Sequence, residues 1–305
     1  MSPSEPRDRG RRPLISVVVN SLNEGARIGF TLRSVRPWVD EMVVVDMDSD
    51  DDTAKVARDL GARVVRHDRV GFVEPVRAFS CAQARGEWIL LLDADEVVPA
   101  RLASALLLVA AEDAADVVRI PRLNHILGGP LLHSGWNPER DRHARFFKAG
   151  QIVFSDVIHE PPRARPGARV QDLPFEPGNA LVHFNYTDVS QFLGKLDTYT
   201  SIEALQAVER GDSPDTLRTL TRALREFAVR YLWHGGWRDG WRGIHLCLLM
   251  FGYAVVRSAK IHELAHTGGR GAVTERYRRE AEALIEGVLK DVAKSGDQVR
   301  TRTDS

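Results

Sequence analysis

The chain has 305 residues, 43% hydrophobic and 28% charged, enough to bury one large core or a core with an appendage. Its 42 basic and 42 acidic side chains cancel, so no global field draws nucleic acid to it. Cys81 and Cys247 are its only cysteines and have neither metal-ligand nor redox spacing, which excludes a disulfide framework and favours a reducing, cytosolic compartment.

Residues 1–13 are rich in Arg and Pro, lack the long apolar region of a signal peptide, and read as a disordered lead-in. Leu14 to Asn20 is a β-branched run that predicts a strand, and Asn23-Glu24 opens a helix with Ile28, Leu32 and Val35 on one face. Met42 to Asp46 predicts a second strand. It ends in an acidic loop, followed by a helix through Ala54, Val56, Ala57 and Leu60 that Gly61 closes. Ala62 to Arg66 is a third strand, Val76 to Ala84 a helix ending at Gly86, and Trp88 to Leu92 a fourth strand. Alternation of this kind predicts an α/β domain, a mainly parallel sheet with flanking helices, with ligands at the carboxyl ends of the strands.

Two carboxylate clusters fall at such ends. Asp93-Ala94-Asp95-Glu96 places three carboxylates directly after an apolar strand, where they repel unless a metal or a basic group neutralises them. In an extended segment Asp93 and Asp95 would point to one side and could share Mg²⁺ or Mn²⁺. The alternative is that Asp93 caps a helix near Pro99 while Asp95 and Glu96 are solvated. Asp46 could accept from a base imide or a ribose hydroxyl, while one or two of Asp50, Asp51 and Asp52 cap the next helix. Asn23 and Glu24 follow the first strand by the same logic. Arg77 is placed to face a diphosphate, unless it is an ordinary surface arginine.

In this order the blocks Val17 to Glu24, Val43 to Asp46 with Ser49 and Asp51, Arg77 to Ala84, and Gly86 to Glu96 resemble a family 2 glycosyltransferase of the GT-A (Rossmann-like) fold. Later blocks resemble its lipopolysaccharide core glucosyltransferase-like branch: Ile120-Pro121-Arg122, Leu127-Gly128-Gly129, Gly135-Trp136, Arg145 to Gly150, His159-Glu160 and Tyr199-Thr200. The resemblance implies an inverting transfer from a nucleotide-diphospho-sugar, usually UDP-linked, to a hydroxyl of a cell-envelope glycan or lipid-linked acceptor. One Mg²⁺ or Mn²⁺ is implied as cofactor. Matched residue by residue, Asp46 would contact the base, Arg77 the nucleotide, and Asp93 and Asp95 the ribose, metal and diphosphate, with Asp95 the preferred direct ligand. The general base would be Glu139 or Asp141, with Asp141 slightly favoured. About two extra residues between Pro138 and Arg145 leave that choice open, and a salt bridge is the alternative for either. His159 could complete the metal shell and Glu160 bind a sugar hydroxyl, unless His159 is a buried structural histidine. For His183 the structural reading is preferred.

The chain divides into a lead-in (1–13), a GT-A catalytic domain (14–188), a helical region (189–266) and a charged helix with a polar, disordered tail (267–305). Val189 to Glu209 and Leu217 to Trp233 carry apolar residues at helical spacing. The apolar run Ile244 to Val256 is shorter than the about 20 residues of a membrane span. Flanked by Trp233, Trp237, Trp241 and arginines, it suits a helix lying in a membrane interface, or one packed on the catalytic domain. The expected location is therefore cytoplasmic, with peripheral contact at the inner face of the cell membrane. A sugar nucleotidyltransferase is the first competing reading, but Asn20 to Gly25 lacks the Gly-rich basic phosphate loop that chemistry uses. A non-catalytic nucleotide-sugar or carbohydrate-binding protein is the second.

Overall fold

The computed structural model describes residues 13–70, 73–155, 161–212 and 215–303, with side chains described as far as residue 290. The first half alternates strand and helix: β1 (Ile15–Ser21), α1 (Ile28–Val35), β2 (Glu41–Asp46), α2 (Thr53–Asp59), β3 (Arg63–Arg66), α3 (Glu74–Ala82), β4 (Trp88–Asp93), β5 (Glu96–Val97) and α4 (Ala100–Glu112). Then come β6 (Val117–Ile126), β7 (Gly129–Pro130), β8 (Arg142–Lys148), β9 (Ile152–Val153), β10 (Arg163–Ala164), β11 (Val170–Asp172) and β12 (Leu181–Phe184). The chain closes with α5 (Val189–Glu209), α6 (Thr216–Ala228), α7 (Gly240–Thr267) and α8 (Gly269–Thr303).

The main sheet runs β3-β2-β1-β4-β8-β6-β12-β5. Its first four strands are parallel, and β8 is antiparallel to both of its neighbours. β1 is buried along its whole length, as are Trp88 to Leu92 of β4, because helices cover both faces of a parallel sheet. On one face Val17, Val19, Leu90 and Leu92 pack with Leu32 of α1 and Leu102 and Leu106 of α4. On the other, Val18, Val43, Val45 and Leu91 pack with Val76 of α3 and Phe147 of β8. Trp88 stacks on Phe146 with ring centroids 4.5 Å apart, tying the parallel half to the antiparallel half.

The expected GT-A arrangement is present, with strand ends within a residue or two of those read from the sequence. After residue 116 charged and polar residues interrupt the longer strands β6 and β8, and β7 and β9–β12 span two to four residues, so no clean period-2 signal marks them in the sequence. α7 extends well beyond its apolar run, and α8 continues to Thr303 where a polar tail is expected.

The chain forms two compact units: one of residues 1–194 and 226–249, the other of 195–225 and 250–305. Within the second, Glu203 accepts from the Tyr253 hydroxyl at 2.6 Å and pairs with Arg257 at 2.6 Å. Lys260 pairs with Asp197 at 2.6 Å, beside a small core of Ala204, Ala207 and Ile261.

Replacing Trp88 with alanine removes the largest side chain of the first unit's core, and urea denaturation should show a loss of about 3–5 kcal/mol. A loss below about 1 kcal/mol would contradict the packing described.

Candidate active site

The register of the parallel strands brings the strand-end residues side by side. Asn20 lies opposite Asp93 and Ser21 opposite Asp46. The Asp46 carboxylate is buried and accepts from the Ser49 hydroxyl at 2.5 Å and the Ser49 N–H at 3.3 Å. Asn23, in the left-handed region at φ 56°, and Glu24 bind the acidic loop. The Asn23 N–H donates to Ser49 Oγ at 2.9 Å, Asn23 Oδ1 accepts from the Asp50 N–H at 2.8 Å, and the Glu24 N–H donates to Thr53 Oγ1 at 2.8 Å. The Glu24 carboxylate pairs with Arg27 at 2.9 Å. Asp51 accepts the Thr53 N–H at the start of α2 at 2.9 Å and the Gly25 N–H at 2.9 Å, while Asp52, at the cap position itself, makes no side-chain bond to the helix.

The carboxylates after β4 are neutralised by guanidinium groups. Asp93 lies 3.2 Å from Arg77 Nη2 and 2.5 Å from Arg145 Nη2. Glu96, fully buried, pairs with the same Arg145 at 3.1 Å and accepts the Asp93 N–H at 2.9 Å. Burial alone would push the Asp93 carboxyl up, but Arg145 and Arg77 outweigh it and hold it well below the usual carboxylate range. Asp93 does not cap a helix, since α4 begins after Pro99 without a side-chain cap. Nor do Asp93 and Asp95 share one side of an extended segment. Residues 94–95 form a turn, which the Glu96 carboxylate closes, so Asp95 faces His183 and Arg27 instead.

That second face is ordered by Asp141. Its carboxylate accepts from Arg122 Nε at 3.0 Å, Asn124 Nδ2 at 2.6 Å and His143 Nε2 at 2.7 Å. Burial opposes ionisation of Asp141, but His143 and Arg122 hold its carboxyl far below the usual range. Because an ionised carboxylate only accepts, the Asn124 amide must turn its NH₂ toward Asp141 and its Oδ1 toward His183 Nδ1, 2.7 Å away. His183 therefore carries its proton on Nδ1. Its other nitrogen, an acceptor in that tautomer, lies 3.4 Å from Asp95 Oδ1.

Polar atoms buried without a hydrogen-bond partner gather at the same strand ends. Both amide atoms of Asn20, the Ser21 hydroxyl, and the Nε atoms of Arg77 and Arg145 are in this state. Native proteins seldom leave such groups unsatisfied, so an ordered water, an ion or a ligand is expected to complete them. Glu139, by contrast, is exposed on the loop before β8. His159 and Glu160 lie outside the described residues, and no set of three His, Cys, Asp or Glu side chains able to hold a metal occurs among the described ones.

The structure thus brings together Asp46, Arg77, Asp93 and Asp95, and gives Asn23 and Glu24 a loop-ordering role. His183 is buried and bonded to Asn124, as its structural reading expects, and it also lies beside Asp95; Asn20, Glu96, Arg122, Asn124 and Arg145, which the sequence did not single out, line the same strand ends. One signal could have found some of them: Arg122 and Asn124 share one face of β6 by alternation.

The family model for glycosyl transferase family 2 matches residues 16–165. A lipopolysaccharide core biosynthesis glycosyltransferase, LpsC of Rhizobium meliloti (strain 1021), is 27% identical over 82% of this chain and 92% of its own. An uncharacterized glycosyltransferase of Rickettsia bellii (strain RML369-C) is 24% identical over 82% of this chain and 87% of its own. Among solved structures, glucosyl-3-phosphoglycerate synthase from Mycobacterium tuberculosis, in complex with Mn²⁺, UDP and glucosyl-3-phosphoglycerate, is 30% identical. That match covers 37% of this chain and 44% of the synthase chain, with a TM-score of 0.31.

The depressed Asp141 carboxyl makes a stability prediction with a definite sign. A group whose folded value lies below its unfolded value of about 4 stabilises above that pH and loses the contribution as pH falls. Asp141→Asn should therefore be most destabilising near neutral pH, with the gap to wild type narrowing below about pH 4. Urea denaturation at the two pH values checks this, and a constant gap would contradict it.

Proposed function

Residues 16–165 form a family 2 glycosyltransferase domain, and from that premise we propose that this protein is a metal-dependent inverting glycosyltransferase. It moves a sugar from a UDP-sugar to a hydroxyl of a cell-envelope glycan or lipid-linked acceptor, at the cytoplasmic face of the membrane. The observation that carries this reading is the gathering of buried, unpartnered polar atoms from Asn20, Ser21, Arg77 and Arg145 around the carboxyl ends of β1 and β4. These donors and acceptors suit a ribose and a diphosphate.

Asp46, at the neighbouring strand end, accepts from the imide N–H of the base. Arg77 and Arg145 keep the Asp93 carboxylate ionised and turn N–H groups toward the diphosphate. Asp95 and His183 are the residues that would hold Mg²⁺ or Mn²⁺, because their facing acceptors fit a divalent cation and two protein ligands leave positions for phosphate oxygens and water. When bound, the ion neutralises charge developing on the departing diphosphate.

The acceptor proton goes to Glu139. Asp141, its rival, is engaged by Arg122, Asn124 and His143 and held too acidic to be an effective base near neutral pH. Asp141 acts instead through Asn124, fixing the His183 tautomer that turns Nε2 toward Asp95.

A panel of nucleotide sugars assayed for nucleoside diphosphate release with Mn²⁺ tests the activity, and absence of release from every donor would sink it. Asp95→Asn and His183→Ala should each cost at least about 100-fold in turnover while leaving the thermal transition in place. Glu139→Gln should lower kcat by about 10²–10⁴-fold with little change in donor KM. Full turnover in Glu139→Gln would return the base role to Asp141.

A further inference from the structure

In the first unit, the turn of helix Val229–Trp233, the 3₁₀ turn Gly236–Asp239 and the start of α7 form an elbow packed on the loop of residues 127–137. Its inner side is tied to that loop at several points. The Asp239 carboxylate accepts from the Leu132 and His133 N–H groups at 3.1 Å each, and Arg242 Nε donates to the Leu127 carbonyl at 2.9 Å. The His234 carbonyl accepts the Ser134 N–H at 3.1 Å, and Arg230 lies over the Trp136 ring. A Cβ at Gly243 would fall 1.8 Å from the Gly236 carbonyl oxygen, so the elbow closes only with glycine there.

Its outer side is apolar and uncovered. Leu232, Trp233, Trp237, Trp241 and Leu248 are 65, 83, 58, 57 and 50% exposed. Single exposed apolar residues are ordinary, but five within one short segment make a patch of the kind that marks an interaction site. Arg238 stands exposed in the patch and has no ion-pair partner among the described residues.

We propose that this elbow is a docking surface for an anionic phospholipid bilayer, with the three tryptophans at headgroup depth and Arg238 facing lipid phosphate. Tryptophan and arginine together suit that depth, since each has an apolar body and a polar end. The stretch Gly236–Thr267 is long and apolar enough to cross a membrane, and 22% of its apolar window is buried. On this proposal it lies on the surface rather than crossing, since crossing would carry the Arg257–Glu203 and Lys260–Asp197 pairs into hydrocarbon. The elbow grips the loop that leads to Glu139, so docking would set the acceptor side of the site against the lipid surface. That purpose rests on the proposed activity; the binding does not.

The test is vesicle co-sedimentation of the full chain, with tryptophan quenching by brominated acyl chains and no donor or turnover involved. Binding to phosphatidylglycerol-containing vesicles, weakened by salt and accompanied by quenching, is expected, with little binding to pure phosphatidylcholine. The combined variant Trp233→Ala, Trp237→Ala and Trp241→Ala should lose about tenfold or more of this binding while keeping its thermal transition and UDP binding. Undiminished vesicle binding by the variant, or equal binding to both lipids, overturns the proposal. So does a lipid-free dimer that the same substitutions dissociate.

Discussion

The Asp93 carboxylate sits at the end of an apolar strand, between Arg77 of α3 and Arg145 of β8. Removing water from a carboxylate costs far more than a protein can absorb without a counter-charge, and here the counter-charge is built into the fold. Arg145 also reaches Glu96, whose second oxygen accepts the Asp93 N–H and closes the turn at residues 94–95. That turn aims Asp95 away from Asp93 and toward β12. One buried guanidinium thereby splits an apparently continuous acidic run into two faces with different chemistry.

The second face depends on a relay of hydrogen bonds through neutral and charged groups. Asp141 fixes the Asn124 amide, Asn124 accepts from His183 Nδ1, and the His183 Nε2 atom lies 3.4 Å from Asp95. The relay leaves the half-buried Asp141 carboxylate engaged by three donors. His183 lies on a short strand paired antiparallel with β5 through Glu96, which brings it beside Asp95.

The parallel half of the fold was legible because each of its strands is a continuous apolar run ending in a polar or acidic residue. Asp46, Asp93 and Asp95 were legible for the same reason: strand order alone places them at one edge, while Arg77 was legible from its place on the helix just before the fourth strand. The partners were not. Arg145, Arg122, Asn124 and His183 come from β8, β6 and β12, whose antiparallel and mixed pairings depend on long-range register that no local pattern encodes. An extended D-x-D seemed to aim both carboxylates at one ion because the turn depends on Glu96 and Arg145, which a two-residue periodicity cannot include. The tryptophans of the elbow were visible as composition, but their exposure follows from glycine contacts that only the fold reveals.

The central claim is that the strand-end cluster binds a nucleoside diphosphate together with a divalent cation held by Asp95 and His183. Calorimetric titration of UDP into the purified chain, with and without Mn²⁺, tests it most directly. The account predicts UDP binding that strengthens about tenfold or more with Mn²⁺ and loses that increment in His183→Ala. UDP binding that is absent under both conditions, or indifferent to Mn²⁺ in the wild type, would contradict it.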